Sequence, residues 1–296
     1  MTDVAVILNP RAGHGADEER QREITDLFAT LGRQATVFVP AEGQDIAERA
    51  RAAVQAGCRV LVAAGGDGTV NAVASAVVGR ETPLGVLPVG TLNHFAKDVG
   101  IPLDLPAAVR VVAQGVERRV DVGEVNGRYF LNNSSIGVYP RIVELRERYR
   151  STGLGKWVAA FWASLAVLRR RPFLGVSIQV EGETVVRRTP FVFIGNNEYK
   201  MEGLRGVHRA GLTGGYLAVY VMHASRRVSL VRLGWELLLR GPDKVQELDL
   251  FRLPGTRIET RRRRIQVALD GEVTSLRSPL EYRSHPGALR VMATAG

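Results

Sequence analysis

Short apolar runs alternate with segments of helical spacing along the first third of the chain. The mostly apolar runs cover residues 4–8, 35–39, 60–64 and 84–87. Apolar side chains recur at helical spacing in residues 16–31, 45–56, 70–78 and 93–99. Short apolar strands that alternate with amphipathic helices are typical of a parallel sheet covered on both faces. We therefore predict an α/β domain over residues 1–116, with ligands at the carboxyl ends of its strands.

The hydrophobic pattern changes after about residue 116. Alternation with a period of two predicts strands over residues 119–125, 129–136, 174–180, 185–194, 216–221 and 265–269. Two segments of helical spacing, residues 140–171 and 225–240, interrupt these strands. We therefore predict a mostly antiparallel β domain with helical insertions over residues 117–296.

Composition fits this two-domain interpretation and limits the class of protein. The 296 residues are enough for two domains, and 45% hydrophobic with 24% charged residues is close to globular averages. Cys58 is the single cysteine, which excludes an intrachain disulfide and favours a reducing compartment. No signal peptide or apolar run of about 18 residues occurs. We expect a cytoplasmic protein with at most peripheral membrane association.

The net charge of +10 favours polyanionic partners. Such partners include an anionic membrane, phosphorylated small molecules and nucleic acid. Because the chain has no RNA-binding signature, zinc-ligand spacing or heptad repeat, we expect no nucleic-acid partner.

A glycine-rich turn follows the third predicted strand and precedes a helix. Its residues are Gly65, Gly66, Asp67, Gly68 and Thr69. Glycines at such a turn let backbone N–H groups approach a phosphate, and the helix N-terminus adds positive potential. Asp67 would face phosphate and metal, and Thr69 would be the helix N-cap. The alternative is an ordinary tight turn in which Asp67 caps a helix.

Two further loops follow neighbouring predicted strands. The first contains Gly90, Thr91 and Asn93, and the second contains Asn9, Pro10 and Arg11. Gly90 would permit close approach, Thr91 would offer its hydroxyl to phosphate, and Asn93 would cap a helix or touch a nucleotide. Arg11 is placed for phosphate, or else is a solvated loop residue. Since the ends of parallel strands share one edge of a sheet, we predict that these loops face one ligand.

Two carboxylates lie close together late in the chain, at Asp270 and Glu272. They follow the predicted strand 265–269, with Gly271 between them. From the residues alone, this stretch could be a β-hairpin turn between that strand and the strand after it.

Together these motifs resemble the diacylglycerol kinase catalytic-domain family, which is related to the sphingosine kinases, over nearly the whole chain. The Gly65–Thr69 string is shared with NAD kinases, whereas Gly90-Thr91-x-Asn93 and Asp270-Gly271-Glu272 are more specific. The resemblance implies a nucleotide-binding domain, a C-terminal β-sandwich for a lipid substrate, and the cofactors ATP and Mg²⁺. It implies phosphorylation of a diacylglycerol-like or related lipid hydroxyl.

The resemblance also implies roles for the carboxylates. Asp270 and Glu272 are the catalytic pair, with Glu272 as the proton acceptor. Asp67 competes for the role of base, as in sphingosine kinase relatives, and would contact Mg²⁺ through the phosphates. The alternatives are a soluble-substrate kinase of the NAD-kinase type and a non-catalytic module that senses nucleotide and docks on membranes.

One departure from the family and three basic segments affect the expected partners. Many bacterial members bind a structural Mg²⁺ in a loop ending in Asp-Gly, but residues 211–216 have no carboxylate, so we predict that this site is absent. The apolar residues 156–168, followed by arginines at 169–171, form a buried or a membrane-seated helix. Residues 228–240 have a similar mix, and the basic run 261–264 is a membrane contact or a solvated strand edge. We expect an anionic membrane surface as partner, with a homodimer as a candidate assembly.

Overall fold

The computed structural model describes residues 3–10, 18–41, 45–137, 140, 173–201, 207–222 and 248–295. The chain forms two compact units, residues 1–122 with 285–296, and residues 123–284. The sequence-based division after residue 116 lies close to the first of these limits. Residues 285–296, which the pattern placed in the second domain, belong to the first unit.

The first unit is a parallel sheet with helices. Its elements are β1 (Val4–Leu8), α1 (Glu18–Thr30), β2 (Ala35–Phe38), α2 (Ile46–Gln55), β3 (Val60–Ala64), α3 (Asp67–Ala74), β4 (Leu84–Leu87), α4 (His94–Val99) and α5 (Leu105–Gln114). The strands lie in the order β2-β1-β3-β4, all in parallel. Every residue of β1, β3 and β4 is buried, as fully apolar strands require.

The last strand of the chain, β18 (Leu280–Ala293), extends this sheet beyond β4. Val291 pairs with Leu84 in parallel, and the Gly79 N–H donates to the Ala288 carbonyl oxygen at 2.8 Å. Arg290 forms an ion pair with Glu81. The returning strand therefore covers the edge that β4 would otherwise leave open.

The sequence pattern missed α5 and placed α3 several residues late. Asp104 is the N-cap of α5 and accepts a hydrogen bond from the Ala107 N–H at 3.0 Å. Pro106 lies in the first turn, where a missing N–H breaks no helical hydrogen bond. This proline is therefore compatible with the helix.

The second unit is an antiparallel β-sandwich, as predicted. β5 (Val116–Val125) leads into it from the first unit. Its further strands are β6 (Arg128–Phe130), β7 (Asn133–Gly137), β8 (Leu174–Val180), β9 (Glu183–Thr189), β10 (Phe191–Asn196), β11 (Tyr199–Met201), β12 (Val207–Arg209), β13 (Leu217–Met222), β14 (Leu248–Leu253), β15 (Gly255–Thr260), β16 (Arg264–Leu269) and β17 (Glu272–Arg277). One sheet has the order β14-β13-β10-β7-β16-β17. Strands β15, β8 and β9 form the other layer with the beginning of β18, and side chains of both layers share one core.

Two predicted strands are each divided in the structure. Residues 185–194 form β9 and β10, with Pro190 between them, because proline cannot donate to a strand ladder. Residues 129–136 form β6 and β7, because the backbone N–H groups between them bond to a side chain instead of a strand.

The helices predicted for residues 140–171 and 225–240 lie outside the described residues, apart from Pro140. Within the part of the chain that the structure describes, no helix is long and apolar enough to cross a bilayer.

Candidate active site

Three loops of the first unit meet at the carboxyl edge of the parallel sheet. Leu8 is paired with Ala64, and Ala64 with Leu87, so β1, β3 and β4 end side by side. The Asn9 N–H donates to the Ala64 carbonyl at 3.0 Å, and the Gly65 N–H donates to the Leu87 carbonyl at 3.2 Å. The structure thus brings together the loops that the sequence singled out.

Thr69 ties two of these loops together and is not an N-cap. The N-cap of α3 is Gly66, and Thr69 is the third residue of the helix, so this part of the prediction is wrong. The Thr69 side chain is buried, and its Oγ1 accepts a hydrogen bond from Asn9 Nδ2 at 2.7 Å.

Asp67 caps the neighbouring helix. Its carboxylate accepts hydrogen bonds from the N–H groups of His94 at 3.1 Å and Phe95 at 3.0 Å, which begin α4. A carboxylate at a helix N-terminus is favourable because the helix dipole places positive potential there. Asp67 therefore caps a helix, although the capped helix is α4 rather than α3. Contact of Asp67 with a metal stays a prediction.

No side chain of the described residues caps the N-terminus of α3. Gly66 has none, and no side chain of the described residues accepts from the N–H groups of Asp67, Gly68 or Thr69. The first N–H groups of a helix have no intrahelical partner, so they attract an anion. Of α3 and α4, α3 is thus the one suited to a phosphate.

Two glycines permit close backbone packing of the loops. A Cβ on Gly90 would overlap Gly66 Cα, and a Cβ on Gly65 would overlap the Thr69 side chain. The packing of the loops therefore explains these glycines, whether or not a phosphate also approaches them.

Gly90→Ala is expected to separate the two loops and weaken nucleotide binding at least tenfold. Forcing a methyl group into such a contact costs about 1–3 kcal/mol. Gly175→Ala is the matched control, because a Cβ there meets no atom within 4 Å. Nucleotide titration by calorimetry checks the prediction, and equal affinities of the two variants would contradict it.

Asn93 holds its own loop in shape. It has a positive φ of 51°, and its Nδ2 donates to the carbonyl oxygens of Pro88 at 3.1 Å and Gly90 at 2.9 Å. The side chain does not cap α4, so that alternative is wrong. Thr91 is exposed and makes no hydrogen bond to another described residue, which leaves its hydroxyl available.

Two residues of the first loop complete the predicted nucleotide set. Pro10 is exposed beside Asn9. Arg11 lies outside the described residues.

In the second unit, Asp270 and Gly271 form a two-residue β-hairpin between β16 and β17. Their φ values are 47° and 90°, and Leu269 pairs with Glu272 across the turn. Positive φ at both turn positions and an Asp-Gly sequence are typical of a type I′ hairpin. The hairpin alternative is therefore correct for the backbone of this motif.

The Asp270 side chain has an additional role. Its carboxylate accepts hydrogen bonds from the backbone N–H groups of Leu131 at 2.8 Å, Asn132 at 2.8 Å and Asn133 at 3.0 Å. Burial raises the pKa of Asp270 to about 6, opposed by these three N–H donors and the positive charge of Arg209. The carboxylate is thus engaged by the backbone of residues 131–133.

The carbonyl groups of the same segment are also bound. Asn196 Nδ2 and Arg209 Nη1 donate to the Leu131 oxygen at 2.8 and 2.6 Å, and the Tyr199 hydroxyl donates to the Asn132 oxygen at 3.1 Å. Sequence analysis missed these residues. The Asn-Asn pairs at 132–133 and 196–197, beside buried strands, are the signal that could have found them.

Glu272 differs from Asp270 in its surroundings. Its side chain is exposed at the start of β17 and makes no hydrogen bond or ion pair with a described residue. Of the two carboxylates, Glu272 is therefore the one whose oxygens are open to a substrate.

The acidic groups do not form a metal cage in the described residues. No group of three or more His, Cys, Asp or Glu side chains occurs there that could hold a metal ion. This is compatible with Mg²⁺ that binds mainly through nucleotide phosphates, as it commonly does in kinases. In the loop 211–216, the Gly214 N–H donates to Asn197 Oδ1 at 2.9 Å. The absence of a structural Mg²⁺ there stays a prediction.

Solved structures show which class of fold this is. A diacylglycerol kinase from Bacillus anthracis has a TM-score of 0.72 at 19% identity, covering 99% of this chain and 97% of that one. Yeast NADH kinase, solved with NADH, has a TM-score of 0.55 at 12% identity, covering 99% and 84%. At these identities the likeness concerns the fold alone.

Sequence comparison is more specific. Residues 3–125 match the diacylglycerol kinase catalytic domain, and residues 135–293 match the YegS C-terminal NAD kinase beta sandwich-like domain. A probable lipid kinase, YegS-like, of Pseudomonas aeruginosa is 33% identical over 96% of this chain and 93% of its own length. The diacylglycerol kinase of Bacillus subtilis is 34% identical over 49% of this chain and 48% of its own. The chain belongs to the diacylglycerol kinase catalytic-domain family, as its motifs predicted.

Proposed function

We propose that this protein is an ATP-dependent kinase that phosphorylates the hydroxyl of a diacylglycerol-like or related membrane lipid. The observation that carries the proposal is the edge of the parallel sheet, where three loops meet around the uncapped N-terminus of α3. Such an edge suits the phosphates of a nucleotide. The names of the relatives support a lipid as the acceptor.

In this proposal the residues of the first unit bind the nucleotide. The N–H groups of Asp67, Gly68 and Thr69 donate to phosphate oxygens, and the exposed Thr91 hydroxyl adds a further donor. Asp67, placed at the start of α3, lies next to this anion. Asp67 would help to hold Mg²⁺, which would supply neutralisation of the charge that develops on the phosphates during transfer.

The second unit supplies the proton acceptor. Glu272 accepts the proton of the lipid hydroxyl. At the same time the oxygen of that hydroxyl bonds to the terminal phosphorus of ATP, and the bond from that phosphorus to ADP breaks. Asp270 acts as a positioning residue, because its oxygens hold residues 131–133 rather than a substrate. Asp67 stays the competing candidate for the base.

A soluble-substrate kinase of the NAD-kinase type is the second candidate. The fold shared with yeast NADH kinase favours it. The relative that matches along almost the whole chain is described as a lipid kinase, which favours the first proposal. A non-catalytic module is the weakest candidate, since Asp67, Asp270 and Glu272 are all present.

We place the protein in the cytoplasm, in peripheral contact with the inner face of the membrane. The net charge of +10 supports contact with anionic lipid. A homodimer is a candidate assembly that sedimentation would test.

Purified protein with radiolabelled ATP, Mg²⁺ and a total lipid extract is expected to yield a labelled, organic-extractable phospholipid. Parallel reactions contain NAD in place of lipid. Label that moves to NAD would favour the second candidate, and no transfer to either acceptor would overturn the assignment as a kinase. Identification of the labelled lipid by mass spectrometry gives the acceptor.

A further inference from the structure

Five arginines converge on one groove of the second unit. The groove encloses about 1100 Å³ and lies at the ends of β8, β9 and β16 and the turn between β15 and β16. Its basic residues are Arg187, Arg188, Arg261, Arg262 and Arg264. The basic run 261–264 thus joins two arginines from a different strand, which the sequence alone did not show.

These arginines are mostly without acidic partners. Arg261, Arg262 and Arg264 are exposed and form no ion pair with any described residue. Arg187 has a carboxylate of Asp249 at 3.7 Å. Among the described residues that line the groove, Glu259 is the one acidic residue, and it is already bound by Arg257 at 2.8 Å. A strand edge that is simply solvated does not require such an excess of one charge around a concave surface.

Apolar side chains line the same groove. Leu174 and Ile265 contribute to its walls, and Val186 is 66% exposed. Arg188 lies over the ring of Phe173, 5.4 Å from its centre. Arginines above apolar contacts suit an amphipathic anion, because the charge and the hydrocarbon of such a ligand each meet a matching surface.

We propose that this arginine groove docks the protein on the anionic phospholipid headgroups of a membrane. The proposal rests on the proposed function, since a kinase of a membrane lipid must reach the bilayer. A nucleic acid is the less suitable occupant, because Arg188 lies over the ring of Phe173 and the most exposed apolar lining residue, Val186, is aliphatic and cannot stack on a base.

The groove is separate from the proposed catalytic hairpin. Arg264 begins β16 and Leu269 ends it, next to Asp270. At about 3.3 Å per residue, the two ends of the strand lie about 17 Å apart. Docking can therefore be changed without touching the residues assigned to chemistry.

Cosedimentation of the full chain with vesicles tests the proposal. The vesicles are phosphatidylcholine alone, or equal parts phosphatidylcholine and phosphatidylglycerol. Binding is expected only with phosphatidylglycerol, and it should weaken as salt rises. Arg262→Gln with Arg264→Gln should lower the affinity roughly 25-fold, since each arginine near an anionic surface contributes about fivefold.

The matched control is Arg263→Gln with Arg80→Gln, which removes the same charge from exposed residues that do not line the groove. It should retain at least a third of the wild-type affinity. An equal loss in both pairs would mean that only net charge acts, and equal binding to neutral vesicles would remove the role of anionic lipid. Either result overturns the proposal. It would also be overturned if the groove variant lost binding to duplex DNA but kept its binding to vesicles.

A readout of phosphorylation separates this proposal from the proposed function. Phosphorylation of a short-chain lipid dispersed in detergent should be the same in wild type and in the groove variant, whereas phosphorylation of the lipid in anionic vesicles should fall. If the protein is active in detergent and the groove variant binds vesicles as wild type does, the docking proposal is wrong and the kinase proposal stands. If the protein is inactive in detergent and vesicle binding depends on the groove, the kinase proposal is wrong and the docking proposal stands.

Discussion

Replacement of Glu272 by glutamine is expected to lower the rate of lipid phosphorylation about 10²- to 10⁴-fold, the usual effect of losing a general base. The affinity for ATP should not change, because Glu272 lies in the β-sandwich and outside the loops of the parallel sheet. The glutamine keeps the size of the side chain and cannot accept the proton as a carboxylate does. Single-turnover rates and ATP titration measure the two quantities.

Asp67→Asn is the companion variant. It retains one oxygen acceptor for the N–H groups that begin α4, so its effect on folding should be smaller than that of alanine. If Asp67→Asn keeps ATP affinity and loses chemistry while Glu272→Gln turns over normally, then Asp67 is the base. The roles assigned to the two carboxylates would then be reversed.

Replacement of Asp270 by alanine is expected to lower the free energy of unfolding of the second unit by about 3–5 kcal/mol. The change leaves three backbone N–H groups without their acceptor and removes the negative charge near the buried Arg209. Urea unfolding followed by circular dichroism measures the loss. Glu272→Gln is the control, since this exposed neighbour should change stability by no more than about 0.5 kcal/mol. A loss below about 1 kcal/mol for Asp270→Ala would contradict the anchoring role.

The same carboxylate predicts a dependence on pH. Its pKa of about 6 lies above the ordinary value of 3.8, so between these values the folded protein holds a proton that the unfolded chain releases. The contribution of this bound proton to the free energy of unfolding is complete below about pH 4 and is lost as the pH rises through 6. The stability of wild type relative to Asp270→Asn should therefore decline across this range. A difference that is constant or rises with pH would be incompatible with the raised pKa.

The sequence was sufficient where the signal is local and apolar. The bounds of β1, β3, β4 and β8 agree with their predicted ranges. β17 was foreseen only in the hairpin alternative and not from its own pattern, because its residues, Glu-Val-Thr-Ser-Leu-Arg, are mostly polar or exposed and its pairing with β16 forms the strand. Polar edge strands depend on their neighbours, which a hydrophobic pattern does not record.

The candidate site shows the same limit. Its glycine strings are contiguous, so the three loops could be found from sequence. The partners of the carboxylates could not be found, because Asp67 bonds to residues 27 and 28 positions away and Asp270 to residues 137–139 positions away. The polar groups that complete the site come from distant parts of the chain, and one sequence does not reveal such contacts.

Because β18 returns to the parallel sheet, the first unit is built from two stretches that are separated in the sequence. A fragment of residues 1–122 would lack the strand that pairs with β4 and the Arg290 partner of Glu81. During synthesis, the nascent first unit must wait until the ribosome has completed the whole β-sandwich before its sheet can be finished. The first unit is therefore not a portable module, and its exposed β4 edge would need protection until the last strand arrives.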